Sequence, residues 1–145
     1  MANRYQHTQP GTVIRVFIGS TVILMVVLAF FATQWLLVPA ALLLGVYVFF
    51  HSLTVDIDEG DIHIAFGIGV IHRSIPLANI SSCQVVRTPW YFGWGIRYVF
   101  NGWMWNVSGL YAVELTYTNG GHFRIGTDEP DALAAAIEEC ITGAL

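Results

Sequence analysis

Residues 16–55, VFIGSTVILMVVLAFFATQWLLVPAALLLGVYVFFHSLTV, run for 40 positions without an Asp, Glu, Lys or Arg. A bilayer core about 30 Å thick takes about 20 apolar residues per helix. The stretch is too long for a soluble core helix and about twice what one crossing needs, so it divides into two spans of similar length. These are residues 13–32 and 35–54, joined at Thr33-Gln34 as an antiparallel hairpin, with Trp35 at a membrane interface. No charge lies in the middle of either span, which argues against an ion or proton pathway.

What remains is a short tail, residues 1–12, and a segment, residues 55–145, large enough for one small domain. All ten acidic residues follow the apolar block, but only four of the six arginines do, so this domain carries a formal charge of −6. There is no lysine. That balance argues against nucleic acid or phosphoinositide heads as partners. Arg4 lies in the tail, Arg15 sits at the entry of the first span and the turn is uncharged, so the positive-inside rule places the tail in the cytoplasm. Two spans bring the chain back, giving a two-span cell-membrane protein with both termini cytoplasmic. A cleaved signal peptide fits poorly because a second span follows at once. Cys83 and Cys140 have no metal-ligand spacing, and in a reducing compartment they are expected to be buried thiols.

After residue 52 the apolar period changes from helical to two. A turn at Glu59-Gly60 pairs Ile57 with Ile62, Val55 with Ile64 and Asp56 with His63. A third strand covers about residues 71–75 and a fourth about 82–87. A later hairpin, with Asn119-Gly120-Gly121 as a three-residue loop, pairs Tyr117 with Phe123 and Leu115 with Ile125, and one loop glycine takes the left-handed conformation. The end reads as a helix capped by Thr127 or Asp128, with Pro130 in its first turn and an apolar stripe of Leu133, Ala136, Ile137, Cys140 and Ile141.

The least ordinary segment is residues 89–105, PWYFGWGIRYVFNGWMW, which holds four of the five tryptophans. It has two readings: an aromatic loop resting among lipid headgroups, or rings filling a small core. Trp90, Tyr91, Phe92 and Trp94 are the candidate membrane-interface residues, with Trp103 or Trp105 packed inside. The glycine pairs Gly67/Gly69 and Gly93/Gly95 lack the context of a phosphate loop. His51, His63, His72 and His122 match no ligand spacing, and no nucleophile or acid/base pair is recognisable. No catalytic residue, cofactor or metal ligand is assigned, and the protein reads as non-enzymatic.

Residues 74–80 (SIPLANI), 92–97 (FGWGIR), 107–109 (VSG) and 123–130 (FRIGTDEP) resemble the bacterial PH-domain membrane proteins, over roughly residues 52–142. The resemblance implies a pleckstrin-homology-like barrel of two bent antiparallel sheets closed by a C-terminal helix, and no shared reaction. The expected fold is therefore a membrane helical hairpin plus a mostly-β, α+β domain. The chain departs from eukaryotic relatives of that fold in having no lysine-rich lipid-binding loop. The expected function is a bilayer-anchored binding or scaffold module offering a strand edge to a protein or peptide, with His72, Arg73, Ser74 and Arg97 as candidate contacts. The alternatives are a protein binding lipid or another small hydrophobic ligand, and a self-associating membrane complex.

Overall fold

The computed structural model describes residues 5–100 and 102–143. The apolar block forms α1 (Thr12–Phe31), a 3-10 turn (Gln34–Leu36) and α2 (Leu37–Phe50), which pack against each other. Pro39 sits in the first turn of α2, where its missing N–H leaves no bond unmade. Helix α1 is long and apolar enough to cross a membrane, while the apolar helix Gln34–Phe50 is shorter. None of the residues of α1 is buried in the protein.

The helices are flanked by strands. β1 (Tyr5–Pro10) and β2 (Ser52–Ile57) pair antiparallel, Tyr5 with Ile57 through Pro10 with Ser52. The sequence reading gave the segment 1–12 no element and carried the second span to residue 54. Instead α2 stops at Phe50, and residues 52–54 already belong to β2. The tail was illegible as a strand because YQHTQP has no apolar alternation; it is held by partners distant in sequence. His7 Nε2 donates to Asp128 Oδ1 at 2.7 Å, and Gln9 Nε2 to the Ser108 carbonyl at 3.0 Å. Burial, reinforced by Glu129 and Asp128, pushes the Tyr5 phenol up to about 12.

β3 (Asp61–Phe66) and β4 (Ile71–Pro76) complete a four-stranded sheet in the order β1-β2-β3-β4. The expected β2–β3 register is observed: Ile57 faces Ile62, Asp56 faces His63 and Val55 faces Ile64. Its inward residues Leu53, Val55, Ile57, Ile62, Ile64 and Phe66 are all buried.

The second sheet has five strands, β5 (Ile80–Arg87), β6 (Gly95–Val99), β7 (Gly102–Asn106), β8 (Tyr111–Tyr117) and β9 (His122–Gly126), ordered β5-β8-β9-β7-β6. The β8–β9 loop has the expected three residues but lies one position earlier, at Thr118-Asn119-Gly120. Tyr117 N–H bonds the Gly121 carbonyl at 2.8 Å, and Gly120 takes φ +87°. Register therefore shifts by two, setting Leu115 opposite Phe123 and Val113 opposite Ile125. An even shift keeps every side chain on its face, so the apolar pattern could not detect it.

Two further expectations are corrected. The second sheet is mixed, because β7 pairs parallel to β9: the connection at residues 107–110 carries the chain past β9 to β8. The barrel is also not closed, since no strand of one sheet pairs with a strand of the other among the described residues. Pro76 and the 3-10 turn Leu77–Asn79 interrupt the ladder between β4 and β5.

The two sheets enclose one core. The β1 edge reaches Ser108 and Asp128 at one end of the second sheet, while Arg73 on the β4 edge lies over Phe123, near the other end. The strands of the two layers therefore cross steeply. Helix α3 (Pro130–Gly143) lies against β5 and β8 and buries Leu133, Ala134, Ile137 and Cys140. Leu133 N–H donates to the Glu129 carbonyl at 3.1 Å, so Glu129 rather than the expected Thr127 or Asp128 holds the cap position, and Thr127 Oγ1 accepts the Glu129 N–H in a turn ahead of the helix. Cys83 and Cys140 are thiols, and burial with the Glu138 charge pushes Cys83 up to about 11.

The β3–β4 turn seats directly on α2. Gly67 has φ +50°, and a Cβ there would lie 2.5 Å from the carbonyl oxygens of both Phe49 and Val48. Gly69 has φ +86° but open space around it. We expect Gly67→Ala to destabilise the protein by about 2 kcal/mol or more and Gly69→Ala by about 1 kcal/mol. Urea unfolding of the two variants in detergent checks this; equal losses would show that backbone contact with the helix contributes nothing.

Candidate functional site

The base of the helical hairpin is a closed joint. Gly11 N–H donates to the His51 carbonyl at 2.8 Å, and Arg15 Nε donates to the same oxygen at 3.1 Å. Rings continue from it into the core: Phe50 to Phe66 at 5.1 Å, Phe66 to Trp105 at 5.1 Å and Trp105 to Phe123 at 6.1 Å. Trp35 is at the far tip of the hairpin, 77% exposed.

The aromatic segment splits. Trp105 is buried in the core, whereas Trp90 is 73% exposed and Tyr91 is exposed beside it on a 3-10 turn (Trp90–Phe92). Trp90, Tyr91, Phe92 and Phe100 form a run of edge contacts with centroid spacings of 6.1, 5.1 and 5.3 Å. Trp94 is half-buried and donates from Nε1 to the Gly109 carbonyl at 3.3 Å. Arg97 Nε donates to the Trp94 carbonyl at 3.3 Å. The turn thus folds along the β6 edge and covers part of it.

The other proposed contacts lie on β4, an edge strand of the first sheet. His72, Arg73 and Ser74 are all exposed. Arg73 and Ser74, but not His72, line a cleft of about 350 Å³ together with Ile75, Asn79, Tyr117 and Asn119 among others. The Tyr117 hydroxyl is buried without a hydrogen-bond partner among the described residues. Burial raises its pKa, while the neighbouring Arg73 guanidinium pulls it down without completing an aligned bond. Arg97 belongs to the other sheet and does not join this cleft.

One polar cluster was missed from sequence. On the outer face of the second sheet, Arg124 Nε donates to Glu114 Oε2 at 2.7 Å, Gln84 Nε2 donates to Glu114 Oε1 at 3.2 Å, and His122 lies 3.7 Å from the same carboxylate. Phe100, at φ +50°, lays its exposed ring over the Arg124 guanidinium at 5.7 Å. With Val99 and Trp103, the residues Phe100, Glu114, His122 and Arg124 line a cleft of about 240 Å³. Glu114 and Arg124 face each other across β8 and β9, a pairing that the two-residue register error concealed. Burial pushes the Glu114 carboxyl up, but the Arg124 and Gln84 hydrogen bonds and the nearby charges outweigh it and hold the pKa below the ordinary value.

Asp58, Asp61 and His63 bring three ligand atoms within 4.8 Å of one another. Both Asp58 carboxylate oxygens are already engaged in forming the turn. Asp58 Oδ1 accepts the Gly60 and Asp61 N–H groups, and Oδ2 accepts His63 Nε2 at 3.1 Å. These bonds, those from Gly60 and Asp61 first, hold Asp58 below its usual pKa. No protein-family model matches the chain, and no curated protein does.

A carboxylate with a lowered folded-state pKa stabilises above its unfolded pKa, and that contribution is lost as pH falls through the folded value. We therefore expect Glu114→Gln to cost about 1–3 kcal/mol at pH 7 and to lose less stability than the native chain between pH 5 and 3. Urea unfolding across that range checks it. Parallel pH profiles would show that the pair is already screened.

Proposed function

We propose that this protein is an integral-membrane binding module: a helical hairpin crosses the bilayer twice and holds a pleckstrin-homology-like β-domain at the cytoplasmic face, where its β4 edge takes an extended peptide. The observation that carries the anchor is the Gly11 to His51 hydrogen bond. A chain that leaves through α1 has to return to its starting side, and the segment available is Gln34–Phe50. At 1.5 Å per residue it extends about 25 Å, near the lower end of spanning length. Cleavage of α1 as a signal sequence would also strip β1 from the six-residue ladder it makes with β2. Arg15 at the joint favours the cytoplasmic side for both termini.

The β4 edge supports the peptide reading. Among the described residues it pairs only with β3, and the wall at Tyr117–Asn119 leaves a groove open along it. An added strand would use main-chain bonds for affinity. Arg73 and the unsatisfied Tyr117 hydroxyl favour an acidic or carbonyl-bearing side chain in the peptide. The smaller Phe100–Arg124 cleft is below the roughly 300–1,000 Å³ of typical ligand pockets, and its charges are paired internally. That cleft is therefore a poor candidate ligand site.

Two measurements test the proposal. Tags at both ends should be digested together in inside-out vesicles and protected together in right-side-out ones; opposite accessibility would end the two-span reading. In mild detergent, Arg73→Glu should lose partner capture by about tenfold, the equivalent of one 1.4 kcal/mol contact, while Arg97→Glu retains it. Equal recovery by native and Arg73→Glu protein would remove β4 as the docking edge, and recovery of only further copies of this chain would favour self-association.

A further inference from the structure

We propose that the β3–β4 turn, residues 67–70, is a second membrane contact that rests in the headgroup layer and fixes how the β-domain faces the bilayer. This rests on the hairpin anchor proposed above. The only residue between α2 and β2 is His51, so the domain has almost no tether. Gly67 N–H donates to the Ser52 carbonyl at 2.9 Å, and its Cα packs against the last carbonyls of α2. The turn is thus level with the base of the helix.

Its composition is wrong for water. Surface turns favour Asn, Asp, Ser, Gly and Pro, whereas this one reads Gly-Ile-Gly-Val, with Ile68 61% and Val70 63% exposed. The other end of the same sheet provides the contrast. There the β2–β3 turn reads Asp58-Glu59-Gly60-Asp61, about 20 Å away at 3.3 Å per residue. The four-stranded sheet therefore has an apolar, uncharged end against the helices and an acidic end pointing away. Although the domain as a whole is acidic, none of residues 62–72 is an acid that would oppose approach to an anionic leaflet. Arg15 beside the joint adds a cation at the same level.

The partner is the lipid surface itself, and photocrosslinking identifies it. The full chain, carrying p-benzoylphenylalanine at Ile68, Val70, Glu59 or Phe30, is reconstituted in nanodiscs of phosphatidylcholine and phosphatidylglycerol and irradiated, and lipid adducts are measured by mass spectrometry. The expected result is adducts at positions 68, 70 and 30 and only background at 59. Adducts at 30 with background at 68 and 70 overturn the turn contact and leave the anchor standing. Background at 30 overturns the anchor, and the inference with it. Equal adducts at 59 and 68 also overturn it, because they show no preferred orientation.

Discussion

Gly11 and His51 are joined by one backbone hydrogen bond, and the rest of the molecule is arranged around that closure. It makes the helical hairpin an insertion within a β-hairpin, since β1 and β2 continue outward from the same two points as paired strands. Helix ends leave backbone groups unsatisfied, and here the His51 carbonyl is bonded by Gly11 N–H and Arg15 Nε together. The apolar helices and the water-facing sheets therefore meet at a joint with no slack. Gly67 tightens it further by placing its backbone against α2 where a side chain would not fit.

From the joint inward, burial takes over. Phe50, Phe66, Trp105 and Phe123 form a path of aromatic contacts from the helix end to the centre between the sheets. Rings of this size dominate core energetics, at several kcal/mol each when removed. Polar groups are distributed by the same logic. The acidic β2–β3 turn satisfies its own backbone through Asp58, and Glu114 keeps its charge on a sheet face because Arg124 and Gln84 donate to it. Left without such a donor is the Tyr117 hydroxyl, beside the open β4 edge.

The candidate sites were only partly legible before the fold was known. His72, Arg73 and Ser74 do share one exposed edge, because consecutive residues of a strand cannot be separated by folding. Arg97 was grouped with them, but it lies on β6, an edge strand of the second sheet. The Glu114–Arg124 pair escaped notice since cross-strand neighbours depend on register, and a two-residue slip leaves the hydrophobic pattern unchanged. The aromatic segment read as core or surface is both: Trp105 is buried in the core, while Trp103, two residues earlier on the same strand, is 45% exposed.

What followed from sequence alone was whatever depends on local periodicity or solvent: the two apolar helices, the β2–β3 register, the loop length of the later hairpin and the terminal helix with its apolar stripe. These are set by residues close in the chain, where apolar spacing and turn chemistry act directly. Only the tertiary structure decided that residues 5–10 form a strand, that β7 runs parallel to β9, and that the two sheets cross without closing a barrel. Those features depend on partners far apart in sequence, such as His7 with Asp128 or Gln9 with Ser108, and a polar tail has no pattern of its own to announce where it will dock.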